Sequence, residues 1–308
     1  SKVLDIVMYH YVRPIIGSSY PKIKGLEVSG FKRQLEYFSK ERSVVSTSDV
    51  LKAVEGDLVL PKNAVWLTFD DGYKDHFDYA APLLEQFGFD GAFFPVSDCY
   101  VKNQVLDVNK IHYILALAET DDLLLENLRD EMFGEGYGRS DWDNFWVSVD
   151  KSSRYDTENT IFFKRMLQVE LPLEQRQKII SNLFERIVGR SEVDVANELY
   201  MSQSDLISLH KRGFTIGSHT ASHRWLNSLS VDEQKNEIVN SLGALESIRG
   251  DLDNWIMCYP YGGYNEDTLS ILKKNNCAFA LTTKDGSTDL SVQNKYELSR
   301  LDTNDFRR

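Results

Sequence analysis

Two short runs carry side chains whose types and spacing suit hydrolytic chemistry. In Thr68-Phe69-Asp70-Asp71-Gly72 adjacent carboxylates follow an apolar run, and in His219-Thr220-Ala221-Ser222-His223 two imidazoles stand four residues apart. That spacing brings both rings within reach of one cation if the segment coils into a helical turn. Two histidines and one carboxylate make a three-ligand set that leaves positions open for water, the pattern of catalytic rather than structural metal sites. The other aspartate is then free to act as a base. The residue types alone leave open which of the pair does which. Taken singly, each run is ordinary: Asp-Asp-Gly also makes plain turns, and a histidine pair arises by chance. Their chemical complementarity is what gives them weight. A third run, Tyr259-Pro260-Tyr261-Gly262-Gly263, is either a tight turn around a packed aromatic or a loop whose backbone N–H groups bind an oxyanion.

The elements around these runs follow an α/β rhythm. Residues 3–10, 64–69, 91–96, 214–217, 255–259 and 278–282 read as strands, and 64–69 is a continuous apolar run suited to a strand covered on both faces. Helices are expected over 29–40 behind a Ser29 cap, over 76–87, from Ser202 and Asp205 through His210, over 232–248 and over 267–275. Such alternation implies a parallel sheet, open or closed into a barrel. All three chemical runs end strands, so one face of that sheet would collect them. Residues 101–199 differ, reading as mainly helical around a polar, aromatic-bearing segment at 134–155. The expectation is one catalytic domain over 1–308 with a helical insertion at 101–199.

Composition removes several function classes. The formal net charge is −12 and no Lys/Arg cluster is visible, which argues against a nucleic-acid partner. No apolar run approaches the roughly 18 residues that span a bilayer. Residues 1–12 lack the basic-then-apolar layout of a secretory signal, so the cytoplasm is the expected location. Cys99, Cys258 and Cys277 are odd in number and widely spaced, and read as reduced and structural.

The three runs, in this order, resemble the polysaccharide deacetylase family, also called NodB-homology domains or family 4 carbohydrate esterases. The resemblance spans about residues 1–100 and 200–300. It implies a distorted (β/α) barrel of about seven parallel strands. It further implies that Asp71, His219 and His223 hold one divalent metal ion (zinc first, with cobalt, nickel or manganese also suited) and that Asp70 is the general base. Two family features are missing. Met257-Cys258 occupies the place of the arginine ahead of the Pro-Tyr-Gly loop, and no histidine follows His223 to make the late Leu-x-His motif. Met8-Tyr9-His10-Tyr11 resembles instead the Tyr-His of a rearranged branch, the bacterial poly-N-acetylglucosamine deacetylases, in which an N-terminal histidine serves as the acid. Arg300, in Leu298-Ser299-Arg300, then stands in for the missing arginine as the group that orients Asp70.

The implied activity is removal of an N-acetyl, or N-formyl, group from an amino sugar in a surface-glycan precursor or polysaccharide. The substrate would be nucleotide-linked, lipid-linked or an oligosaccharide. In that reading Asp70 takes a proton from the attacking water, the N–H of Tyr261 helps hold the oxyanion, and charged His10 protonates the leaving amine. The rivals are a hydrolase of the same fold acting on cyclic imides or ureides, and a glycan-binding pseudoenzyme. A two-carboxylate glycosidase fits poorly, because adjacent strand residues are expected to face opposite ways. His76 and His210 read as packing or surface residues, whereas His112 lies in the insertion and could fold over the cleft.

Overall fold

The six apolar runs and a seventh segment not read as a strand in the sequence, Leu298–Asp302, become the strands of one curled sheet in a computed structural model that describes residues 1–306. In chain order they are β1 (Val3–Tyr9), β2 (Ala64–Asp71), β3 (Ala92–Pro95), β4 (Thr215–Ile216), β5 (Ile256–Cys258), β6 (Phe279–Asp285) and β7 (Leu298–Asp302). Their spatial order is β4-β3-β2-β1-β7-β6-β5, and each neighbouring pair is parallel. The two edges meet through one parallel bridge. Ser218 N–H donates to the Ile256 carbonyl at 2.9 Å, and Cys258 N–H donates to the Ser218 carbonyl at 3.1 Å. The result is a distorted (β/α) barrel of seven parallel strands. Two-residue pieces, Ser43–Val44 on β2 and Thr288–Asp289 on β1, extend the sheet.

Strand alternation divides the core into two layers. Leu4, Ile6, Trp66, Phe94, Phe279, Leu281 and Leu298 pack together on one side of the sheet. Val7, Tyr9, Val65, Leu67, Phe69 and Phe93 face the other way, against helical residues such as Phe31, Leu35, Phe38, Ile238 and Leu242. Every residue of β2 is buried, which is why its sequence shows no polar alternation before Asp70.

The helices begin where local chemistry allows. α1 (Val28–Glu41) buries Phe31, Leu35 and Phe38 as their spacing predicts. Its start differs from the expectation: Glu27 holds the N-cap position with no side-chain cap bond, and Ser29 lies inside the first turn. α2 (Val231–Arg249) has a full capping box, with Ser230 accepting from the Glu233 N–H, and ends at Gly250 in the left-handed region (φ +84°). Ser202 and Asp205 make the expected capping box at the start of the helix Gln203–Lys211.

Chain contacts separate two units. One comprises Ser1–Pro14, Gly25–Gln104 and the residues from Ala196 onward, and it contains the whole barrel. The other, Ile15–Lys24 with Val105–Val195, is built of helices and has no strand among the described residues. Its polar segment at 134–155 contains a helix, Arg139–Ser148, whose Trp142 is buried against Phe162. No helix among the described residues is long and apolar enough to cross a membrane. All three cysteines are buried and none is in a disulfide.

Candidate active site

The C-terminal ends of the barrel strands bring the chemical runs together. Asp70 and Asp71 end β2, His219 and His223 follow β4, Tyr261 follows β5, Arg300 lies in β7, and His10 comes directly after β1. In parallel α/β barrels this is the face on which sites are built. Four non-glycine residues of this centre adopt left-handed backbone: Asp71 (φ +80°), Thr220 (φ +66°), His223 (φ +60°) and Tyr261 (φ +58°). Such conformations cost roughly 1–3 kcal/mol each and collect where a site dictates geometry.

These dihedrals correct two expectations. The four-residue spacing of His219 and His223 works through an irregular turn, not through a helical one. The positive φ of Asp71 also breaks the strand alternation, so Asp70 and Asp71 both reach the His219 side of the site rather than opposite faces. Gly72 completes the turn at φ +69°, where a Cβ would lie 2.7 Å from Pro95 Cβ. The glycine of the Asp-Asp-Gly run is therefore dictated by a close approach to β3 as well as by φ.

Asp71, His219 and His223 converge on one point. His219 Nε2 lies 3.2 Å and His223 Nε2 3.4 Å from Asp71 Oδ1. That oxygen is buried and has no hydrogen-bond partner, an expensive arrangement unless something else satisfies it. Burial alone would push the Asp71 carboxyl up, but the two imidazoles hold it well below its usual range. The other oxygen, Oδ2, accepts a hydrogen bond from Tyr73 OH at 3.0 Å. His219 Nδ1 lies 2.8 Å from the Cys258 carbonyl, which can only accept, so Nδ1 carries a proton and Nε2 is the nitrogen turned toward Asp71 and left to ligate a cation. A backbone carbonyl behind a ligating histidine is the usual way of fixing its tautomer for a cation. One orphaned carboxylate oxygen and two inward ring nitrogens thus fit a divalent ion.

A second triplet, Asp70, His219 and Cys258, also has its potential ligand atoms within 4.8 Å of one another. Its atoms are engaged with one another and with Arg300. Burial pushes the Cys258 thiol up to about 11, which keeps it protonated, and its Sγ donates to Asp70 Oδ1 at 3.4 Å. Asp70 is engaged elsewhere: Arg300 Nη1 and Nη2 donate to its two oxygens at 2.8 Å each. Arg300 is itself fixed by donating Nε–H to the Thr282 carbonyl at 2.7 Å. Burial would raise the Asp70 carboxyl, but the Arg300 fork overrules it and holds the group at about 2.

His10 Nε2 lies 3.8 Å from Asp70 Oδ2, and the ring is 42% exposed. The Tyr261 ring sits between His223, 4.7 Å away, and Trp225, on which it stacks at 4.5 Å and 7°. All seven residues singled out in the sequence thus gather at one strand-end face. His210 lies in the last turn of the helix Gln203–Lys211 and does not join the cluster, and His112 lies in the helical unit on Asp107–Leu117. Reading the sequence missed Tyr73, Asp75 and Cys258 as neighbours of the site. Tyr73 stands two residues after Asp71, the one local hint.

A parallel barrel with a carboxylate–imidazole centre at its strand ends defines the class of the protein. Its family follows from comparison. The sequence profile of the polysaccharide deacetylase family matches residues 58–128 and 174–280, more than half of the chain. The chain belongs to the polysaccharide deacetylase family. A putative polysaccharide deacetylase of Bacillus subtilis (strain 168), YxkH, is 27% identical over 115 residues, which are 37% of this chain and only 39% of that relative. Among solved structures, Streptococcus pyogenes deacetylase PplD in complex with acetate superimposes with a TM-score of 0.59 at 16% identity, covering 97% of this chain and 92% of that one. IcaB from Ammonifex degensii gives 0.58 at 15% identity, over 97% and 91% of the two chains. The de-N-acetylase from Aggregatibacter actinomycetemcomitans gives 0.56 at 15% identity, over 97% and 94%. At these identities the structural likeness is one of fold.

Proposed function

We propose that this protein is a metal-dependent hydrolase that removes the N-acetyl, or N-formyl, group from an amino sugar of a surface-glycan precursor or polysaccharide. The observation that carries this reading is the buried, partnerless Asp71 Oδ1 facing two inward imidazole nitrogens. Membership of the polysaccharide deacetylase family supplies the substrate class. Asp71, His219 and His223 would hold the ion, zinc first among zinc, cobalt, nickel and manganese. When bound, such an ion acidifies water and polarises an acyl oxygen.

The chain's own residues supply the rest. Asp70, kept ionised and oriented by Arg300, accepts the proton of the attacking water. His10, beside Asp70 but on a different strand end, gives a proton to the leaving nitrogen, the arrangement of the branch with an N-terminal Tyr-His. The Tyr261 N–H adds a donor for the oxyanion. Residues 101–199 are read as an insertion of this one catalytic domain that shapes substrate choice. In support, the family match breaks off between residues 128 and 174, inside the helical unit.

The deciding experiment is mass spectrometry of N-acetyl and N-formyl amino sugars, offered nucleotide-linked, lipid-linked and as oligosaccharides, with cyclic imides and ureides alongside. Loss of one acyl group from a sugar supports the proposal, whereas turnover of the imides alone moves the protein to the rival activity. Binding of glycans with no turnover of any amide would make it a pseudoenzyme. Metal analysis gives an independent check. Purified protein is expected to hold about one divalent ion per chain, and His219→Ala to lose most of it. A His219→Ala protein with full metal content would refute the ligand set.

His10 is tested by a contrast of leaving groups. An amine must be protonated as it departs, while the nitrophenolate of 4-nitrophenyl acetate leaves without help. His10→Ala is expected to lower kcat on the amide by about 10²- to 10⁴-fold, with metal content retained and ester hydrolysis little changed. Equal rates on both substrates relative to the parent would remove His10 from the mechanism.

A further inference from the structure

His10 presents a placement problem. A proton donor must be held to within a fraction of an ångström, yet this ring is 42% exposed. What fixes it has to act through the backbone on which it sits.

The segment that carries it is fastened at four successive residues, through backbone at two and side chain at two, always by the turn that follows Asp-Asp-Gly. The His10 carbonyl accepts from His76 Nε2 at 2.7 Å. The Tyr11 ring stacks on Tyr73 at 4.3 Å and 13°. Val12 N–H donates to Asp75 Oδ2 at 3.2 Å, and Arg13 donates to both Asp75 oxygens at 2.7 and 2.9 Å. The opposite end of the same turn holds the metal-side carboxylate, through Tyr73 OH on Asp71 Oδ2.

We propose that the Tyr73–His76 turn is a positioning element, whose contacts with residues 10–13, among them hydrogen bonds to the backbone of His10 and Val12, set His10 at the right distance from Asp70 and Asp71. The inference rests on the reading of His10 as the acid. His76 makes the case most sharply. It is fully buried among the rings of Phe69, Tyr73 and Phe93, a setting in which leucine would pack without difficulty. Its Nδ1 is buried without a hydrogen-bond partner, a cost that a hydrocarbon would avoid. The bond from Nε2 to the His10 carbonyl is the return on that cost. Burial keeps the ring neutral by lowering its pKa, and a neutral imidazole with Nε2–H is the tautomer that a carbonyl requires. Asp75 repeats the pattern: a buried carboxylate that accepts from the Val12 N–H and from the Arg13 side chain.

A plain structural staple and a positioning element differ in what their loss changes. His76→Leu, Arg13→Ala and the conservative His76→Gln are compared on an oligomer of N-acetylglucosamine and on 4-nitrophenyl acetate, with His10→Ala as the reference. A 1 Å misplacement can cost about 100-fold. His76→Leu and Arg13→Ala are therefore expected to lower kcat on the amide by about 10- to 100-fold, with KM and metal content held and ester hydrolysis within about two-fold. His76→Gln, which keeps an N–H donor, should recover much of the loss. Equal loss on both substrates, or no loss on either, overturns the proposal. If His10→Ala itself shows no amide-selective loss, the acid assignment has failed and the positioning role falls with it. If only the His76 and Arg13 variants lack selectivity, the acid assignment stands and the positioning role alone is lost.

Discussion

Asp70→Asn is expected to lower kcat by about 10²- to 10⁴-fold while metal content stays near that of the parent protein. The substitution keeps the shape of the side chain and one acceptor for the Arg300 fork, but an amide cannot take a proton from water. Asp71, His219 and His223 still converge, so the proposed ligand set survives. The pH dependence follows from the same contact. Arg300 holds Asp70 at about 2, below the ordinary carboxylate range. The base is then ionised across the whole working range, and any loss of activity between about pH 4 and 6 belongs to another group. Activity assays paired with metal analysis decide the matter. A variant that loses its ion while Asp71→Asn retains it would exchange the roles of the two aspartates.

Removing the partner of that carboxylate should have the largest effect on stability. Arg300 is 1% exposed and carries the charge that balances Asp70. Arg300→Leu strands a carboxylate in a buried place, at a cost of about 3–5 kcal/mol near pH 7. The sign with pH is fixed by linkage. In the parent protein the folded carboxyl lies at about 2, below its value of roughly 3.9 in an unfolded chain, so its contribution is present above 3.9 and lost as pH falls toward 2. In the variant burial is opposed only by His219 and His10 and the folded value rises, so the penalty is relieved by protonation as pH falls. The stability gap between the two proteins, measured by denaturant unfolding, should therefore narrow between about pH 7 and pH 4. Adding Asp70→Leu should restore much of the loss, because a pair replaced by hydrocarbon leaves no orphan. A gap that is constant with pH, and a double variant no better than the single, would show that Asp70 and Arg300 are not energetically coupled.

The strand-end residues were legible in the sequence for a simple reason. Asp70, Asp71, His219 and His223 sit in short runs directly after apolar strands, and strand direction then dictates that they share a face. Arg300 was harder, because its partner is 230 residues away and only the sheet order, with β7 beside β1 and β1 beside β2, brings it to Asp70. The short length of β4 and β5 explains why their ends were placed a residue or two wide, since flanking apolar residues belong to turns that pack like strands. The left-handed Asp71 was not visible at all: nothing in the residue type announces a positive φ there. Tyr73, Asp75 and His76 were hidden differently. Their meaning depends on residues 10–13, a segment whose distance along the chain gives no local signal.

The bridge between Ser218 and Met257 has a further meaning once the site is in view. The ring of strands has a seam, and the seam lies between β4 and β5. His219 follows one lip of it and Cys258 forms the other, tied by the imidazole–carbonyl bond that also aims Nε2 at Asp71. The chemical centre thus sits at the seam of the barrel, where the His219–Cys258 bond adds a side-chain tie to the two backbone bonds that close it.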